Sequence, residues 1–387
     1  MSTTPGSQPS SAGASTVLIA PDKFKGSLEA ADVAAHLAVG LLSVRPDLVV
    51  DRAPVADGGE GTVAAAVDAG YRPVTVAVTG PLGGQVHATM AVRDDVAVIE
   101  MAAASGLGVL PLGEDGRLRI EPMRATSIGT GELIRAALDT GCRTIVLGVG
   151  GSAGTDGGAG LLTALGAQLL TANGGPVQPG GGGLQELDRV VLDGLDRRLA
   201  DTQVVLAADV TNPLLGDNGA AAVFGPQKGA SPNQVEVLDA ALSRYAELLA
   251  AALGEEPERH TEAEGAGAAG GVGYAVLAVL GAEKRPGIDV VLDLVGLDDR
   301  LAGVDLVITG EGSLDDQSLG GKTPIGVARR ARAHQVPTVL AVCGRTLLSL
   351  DQVVGAGFDG VFALSELEPD PARSMAEAGR LLEQVGV

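Results

Sequence analysis

The densest group of residues able to do chemistry lies in residues 144–160, TIVLGVGGSAGTDGGAG, where Ser152, Thr155 and Asp156 stand among Gly148, Gly150, Gly151 and Gly154. Glycines let backbone N–H groups come close to a ligand with no side chain in the way. The pattern turns helical from about Ala159, so the loop ends at a helix N-terminus, where free N–H groups and the dipole favour an anion. A phosphate fits there. Gly150, Ser152 and Gly154 also match the Gly-x-Ser-x-Gly elbow of a serine hydrolase, which needs a histidine downstream. The candidates are His260, in an acidic and polar run, and His334, just before Gln335-Val336-Pro337. A Rossmann fingerprint is not met, because its third glycine would fall on Ala153.

Carboxylates, hydroxyls and lysines recur at similar loops. Asp57 and Glu60 flank the glycines of Asp57-Gly58-Gly59-Glu60-Gly61-Thr62, a setting for a metal or a hydroxylated substrate; Glu60 as a first-turn helix acid is the plainer alternative. Thr126, Ser127 and Thr130 bring three hydroxyls to another helix start, where capping explains one of them. Asp209 ends an apolar run before Asn212-Pro213 and reads as a metal or substrate carboxylate, or as an Asx turn. Lys23 and Lys25 precede a helix, and Lys228 lies in a tight loop. Glu311, Asp315, Asp316 and Lys322 follow the run 306–309. Gly321-Lys322-Thr323 is no Walker A loop, since Asp316 stands where its first glycine is required. Gly265 to Gly270 matches Gly-x-Gly-x-x-Gly without a preceding strand, so close packing or a lid fits it better.

Short apolar runs ending in these loops are the elements that must position them. Strands are expected at 16–21, 48–53, 74–78, 88–92, 96–101, 144–147, 204–207, 306–309, 338–342 and 360–364, with 88–92 and 96–101 an antiparallel pair. Continuous apolar runs suit a parallel sheet covered on both faces. Ser27 is expected to cap a helix to about Leu42. Gly80-Pro81-Leu82-Gly83-Gly84 suggests a crossing between domains, and 173–183 a flexible connection.

Composition narrows the function. A chain of 387 residues suggests at least two domains. Aromatic residues make up 2% and the net charge is −21, which together argue against nucleic-acid binding. An anionic small substrate remains compatible, since screening acts over about 8 Å and local cations outweigh distant acids. Cys142 and Cys343 suit a reduced, cytoplasmic protein. Residues 1–15 read as a disordered tail rather than a signal peptide, and no membrane span is expected.

These motifs together resemble the type I family of bacterial glycerate kinases. The resemblance rests on Ala20-Pro21-Asp22, Phe24-Lys25-Gly26-Ser27, residues 56–62, 126–132 and 150–158, Asp209 to Leu214, Gln227-Lys228-Gly229, and Gly310-Glu311-Gly312 with Asp315 and Gln317. Lys23 and Ser313 depart from it, standing where Ser and Arg are often expected. The resemblance implies ATP-dependent phosphorylation of D-glycerate with Mg²⁺. It also implies two α/β domains, one flavodoxin-like with a parallel sheet built from both chain ends (16–82 and 291–387) and the other inserted (83–290). The active site would lie in a cleft between them. On that basis Gly150, Gly151, Ser152, Gly154, Thr155, Thr126 and Ser127 are expected to hold phosphate. Lys25, Lys228 and Lys322 are expected to clamp phosphate or the glycerate carboxylate, and Asp156 and Asp209 to hold Mg²⁺. Asp315 is the expected base, with Asp57, Glu60 and Glu311 at the substrate. A serine hydrolase acting through Ser152 and a non-catalytic small-molecule sensor are the competing functions.

Overall fold

The structure, a computed structural model, describes residues 15–387. The expected tail, apart from Ser15, falls outside the described residues. The chain divides into two compact units: the described residues up to Pro54 with Gly296–Val387, and Val55–Val295.

The first unit opens with β1 (Thr16–Pro21) and β2 (Val49–Arg52). The second contains β3 (Arg72–Thr79), β4 (Gln85–Arg93), β5 (Val96–Glu100), β6 (Thr144–Gly148), β7 (Gln168–Thr171), β8 (Leu187–Val191), β9 (Gln203–Ala207) and β10 (Glu283–Arg285). The chain then returns to the first unit with β11 (Leu306–Leu314), β12 (Thr338–Thr346) and β13 (Gly360–Ala363).

In the first unit all strands run parallel in the order β13-β12-β11-β1-β2. Counted within this unit, that is the flavodoxin-like order 2-1-3-4-5, whose ligand sites lie off the carboxyl ends of the strands. Val17 and Ile19 of β1 pack with Leu37 and Leu381 from the helices Ala30–Val44 and Ala378–Val385. Leu18 is equally buried and points to the opposite face, which is why the run is apolar without alternation. Ser27 does not cap the first helix: Glu29 precedes it, and the Ser27 hydroxyl donates to the Met375 carbonyl at 2.6 Å. The hydroxyl donates to a distant carbonyl instead of accepting from a local N–H.

The second unit is built on the order β10-β9-β6-β5-β4-β3, with β5, β6, β9 and β10 parallel and the β3–β4 hairpin antiparallel at one edge. Residues 80–84, expected as a crossing between domains, are the turn of that hairpin, closed by the Gly80 N–H on the Gly84 carbonyl at 2.6 Å. Hairpin turns and linkers draw on the same glycine and proline, so composition did not separate them. Ile145 and Leu147 face a core with Leu133, Leu161, Leu242 and Val272, while Val146 faces another with Ala66, Val98 and Val290. Each such Val, Leu or Ile side chain withdrawn from water contributes about 1.5–3 kcal/mol. These two cores fix where β6 and its loop end. The connection near 180 is packed rather than flexible, its backbone at Gly181 lying against the Thr155 carbonyl.

Candidate active site

In the second unit β6 ends at Gly148, where a Cβ would overlap the Gly58 carbonyl oxygen. Glycine is required there by this close approach. The turn that follows rests on residues 102–107: Leu107 N–H donates to Gly151 O at 3.0 Å and Ala153 N–H to Ser105 O at 2.9 Å. The N–H groups of Gly150, Gly151, Ser152 and Gly154 meet no protein acceptor among the described residues, and Gly150 and Gly151 are exposed. Unspent amides in a glycine turn form a cradle for an anion. The Thr155 hydroxyl is buried without a protein partner, a further donor that a phosphate oxygen would satisfy.

Asp156 corrects an expectation. Its carboxylate is buried and accepts from Ser127 N–H at 2.8 Å, Ser127 Oγ at 2.9 Å, Thr126 Oγ1 at 3.2 Å, Gly160 N–H at 3.3 Å and Gly158 N–H at 3.1 Å. It is an internal anion rather than a Mg²⁺ ligand. Thr126 and Ser127, expected on phosphate, are spent on it. Thr130 likewise turns inward, donating to Ser105 Oγ at 2.9 Å. Lys228 is also withdrawn from any phosphate: it is 2% exposed and its Nζ donates to the Gly154 carbonyl at 2.5 Å. Burial pulls its pKa down to about 7, opposed by the Asp156 charge.

Around this turn stand Asp57 and Asp209. Asp57 Oδ1 accepts from Gly59 N–H at 3.0 Å, and Asp209 Oδ1 from Gly287 N–H at 2.8 Å. The backbone at Gly287 touches that at Asp57 and Gly58, which ties both acids to one strand-tip region. Desolvation raises the Asp209 pKa, as do Asp57 and Asp289, while the Gly287 N–H and Lys284 oppose it. Among the described residues no three acid, histidine or cysteine side chains group closely enough to cage a metal. Mg²⁺ takes one or two carboxylates plus phosphate oxygens and water, so Asp209 with Asp57 fits it and a cage is not needed. Glu60 is exposed, and the helix Thr62–Asp68 takes Glu100 as its N-terminal anion, through Gly61 N–H at 3.1 Å and Val63 N–H at 2.7 Å. Glu100 was not singled out from sequence, although its place at the end of the apolar run VAVIE was the available signal.

In the first unit Asp22 joins two lysine-bearing loops. Its Oδ1 accepts from Lys23 N–H at 2.7 Å and its Oδ2 from Thr323 Oγ1 at 2.6 Å, at the start of the helix Thr323–Ala333 that Lys322 precedes. Lys25 is exposed, and its backbone lies beside Gly312. Asp315 follows directly on β11, half-buried, with Oδ1 accepting from Gln317 N–H at 3.0 Å. Glu311 lies within β11 opposite Cys343, whose thiol is pushed up to about 12 by burial, then by Glu311 and Glu366. Ser313 pairs across the sheet with Arg345, which donates to its hydroxyl at 3.2 Å. A guanidinium from the next strand therefore stands beside position 313, a pairing no sequence spacing revealed.

Residues 17–386 match the glycerate kinase family. The chain belongs to that family. It is 46% identical to a glycerate kinase of Bacillus subtilis (strain 168) over 90% of each chain, and 46% identical to a glycerate 2-kinase of Escherichia coli (strain K12) over the same share. A solved structure from Salmonella typhimurium LT2, assigned as a glycerate kinase 2, superposes with a TM-score of 0.82 at 44% identity, covering 96% of this chain and 97% of that one. Glycerate kinase membership displaces the hydrolase reading, and the geometry agrees. Ser152 lies seven residues before the helix Ala159–Ala164 and is not among the positive-φ residues, so no strained elbow presents it. His260 and His334 bond to Glu255 and Asp298.

Proposed function

We propose that this glycerate kinase family member is of the bacterial type I class and transfers the γ-phosphoryl group of ATP to a hydroxyl of D-glycerate. The observation that carries the reading is the turn at 150–154, whose unspent N–H groups suit nucleotide phosphate. Phosphoryl transfer requires mainly alignment and charge neutralisation. Asp315 takes the proton of the attacking hydroxyl as its oxygen bonds to the γ-phosphorus and ADP departs. Lys25 and Lys322 clamp phosphate or the glycerate carboxylate, and Gly150, Gly151, Ser152, Gly154 and Thr155 donate to nucleotide phosphates. Asp57, Glu60 and Glu311 orient the substrate. Asp209, with Asp57, would hold Mg²⁺, which neutralises phosphate charge when bound. Two free, buried cysteines support a reducing, cytoplasmic setting.

The test is a coupled assay for ADP on ATP, Mg²⁺ and a panel of short hydroxy acids, with the phosphorylated position read by phosphorus NMR. Turnover highest on D-glycerate is the expected result. Nucleotide and glycerate binding without ADP release would leave a sensor and overturn the kinase reading.

A further inference from the structure

Lys228 is the one lysine placed under the glycine turn, and three observations converge on it. Its ammonium group donates to the Gly154 carbonyl at 2.5 Å from a side chain that is 2% exposed. The facing backbone is contorted to leave room for that bond: residues 269, 270 and 271 all have positive φ, and a Cβ on Gly270 would come within 2.9 Å of Nζ and overlap the Gly154 oxygen. Ala269, at φ 54 and ψ 39, accepts a conformation that costs a non-glycine residue on the order of 1–2 kcal/mol. Strain that survives beside a ligand loop points to a role for the arrangement that holds it. Finally, the Gly270 carbonyl returns a bond to Gly157 N–H at 3.0 Å, so lysine, kink and turn form one connected unit.

We propose that Lys228 is the positioning residue of the glycine turn: held beneath Gly154, it fixes the peptide plane of that carbonyl and the Thr155 N–H, and so anchors the turn whose N–H groups at residues 150–154 meet nucleotide phosphate. This rests on the reading that the turn takes phosphate. The charged group acting on Lys228 is Asp156, two residues past the turn. Tyr245, from the helix Pro232–Leu253, also feels the charge of Asp156, and burial holds its phenol well above its ordinary pKa, so it stays neutral. Burial places the change of charge of Lys228 itself near neutral pH.

The test measures ADP binding by calorimetry and both Michaelis constants for the wild type and Lys228→Met, which keeps an unbranched chain one atom shorter and removes its charge. ADP affinity is expected to weaken about tenfold or more, with the glycerate KM within about twofold of wild type. Equal losses for both ligands, or none, would overturn the proposal. Should Lys228→Met fail to fold, wild-type ADP affinity decides: it is expected to fall about threefold or more from pH 7 to pH 9, as the ammonium deprotonates. A flat profile there would overturn the proposal. No ADP binding by the wild type at any pH would instead remove the phosphate reading on which it rests.

Discussion

Asp156 and Lys228 show how far residue type alone can mislead. Both were candidates for ligands because a carboxylate and an ammonium beside glycines suit Mg·ATP, yet both are buried and satisfied within their own unit. Burying them without partners would be prohibitive; Lys228 finds the Gly154 carbonyl, and Asp156 the N–H groups of Ser127, Gly158 and Gly160. Lys228 leaves a thermodynamic signature. Its ordinary value of 10.5 applies in the unfolded chain, while burial lowers it to about 7 in the folded one. Between those values the unfolded chain holds more protons, so stability rises with pH across that window and is lowest below it. The wild type should gain on the order of a few kcal/mol from pH 7 to pH 10 relative to Lys228→Met, measured by denaturant titration; parallel profiles would deny the buried charge. Asp315→Asn belongs to the same scale. Turnover should drop about 10²-fold or more with little change in melting temperature if Asp315 takes the proton. Near-normal turnover would remove it from that role.

At the scale of elements, the strand-to-helix turn depends on backbones coming closer than side chains permit. Gly148→Ala would drive a methyl group into the Gly58 carbonyl. A loss of about 1–3 kcal/mol in stability and weaker nucleotide binding are expected, read by thermal melts and calorimetry. Unchanged values for both would mean the two loops are free to part. Ser152→Ala should keep turnover within about tenfold, since one hydroxyl in an amide cradle is replaceable whereas a nucleophile is not. Most strands were legible here, because buried parallel strands are apolar runs bounded by turn residues. Caps and turns were less so: the Ser27 hydroxyl bonds to Met375, 348 residues away, and residues 80–84 close a hairpin.

At the scale of the whole molecule, the units differ in how they can be cut. Residues 55–295 are continuous and carry their own cores on both sheet faces. In the other unit β1 pairs with β2 on one side and β11 on the other, so neither chain end completes the sheet. A fragment of residues 55–295 should melt cooperatively by circular dichroism, whereas 15–54 and 296–387 should each remain unfolded until mixed. A folded 296–387 fragment alone would contradict the role given to β1.

The glycine turn, the strand-tip acids and lysines and the parallel-sheet architecture were determined by the amino-acid sequence itself, because each depends on residue type and short-range spacing. Which charges are open to a ligand was decided only in the folded chain. Asp156 and Lys228 are spent inward, Glu100 takes the helix start for which Glu60 was a candidate, and Arg345 comes to Ser313 from a neighbouring strand. Burial and partnership arise between segments tens to hundreds of residues apart, and local pattern carries no record of them.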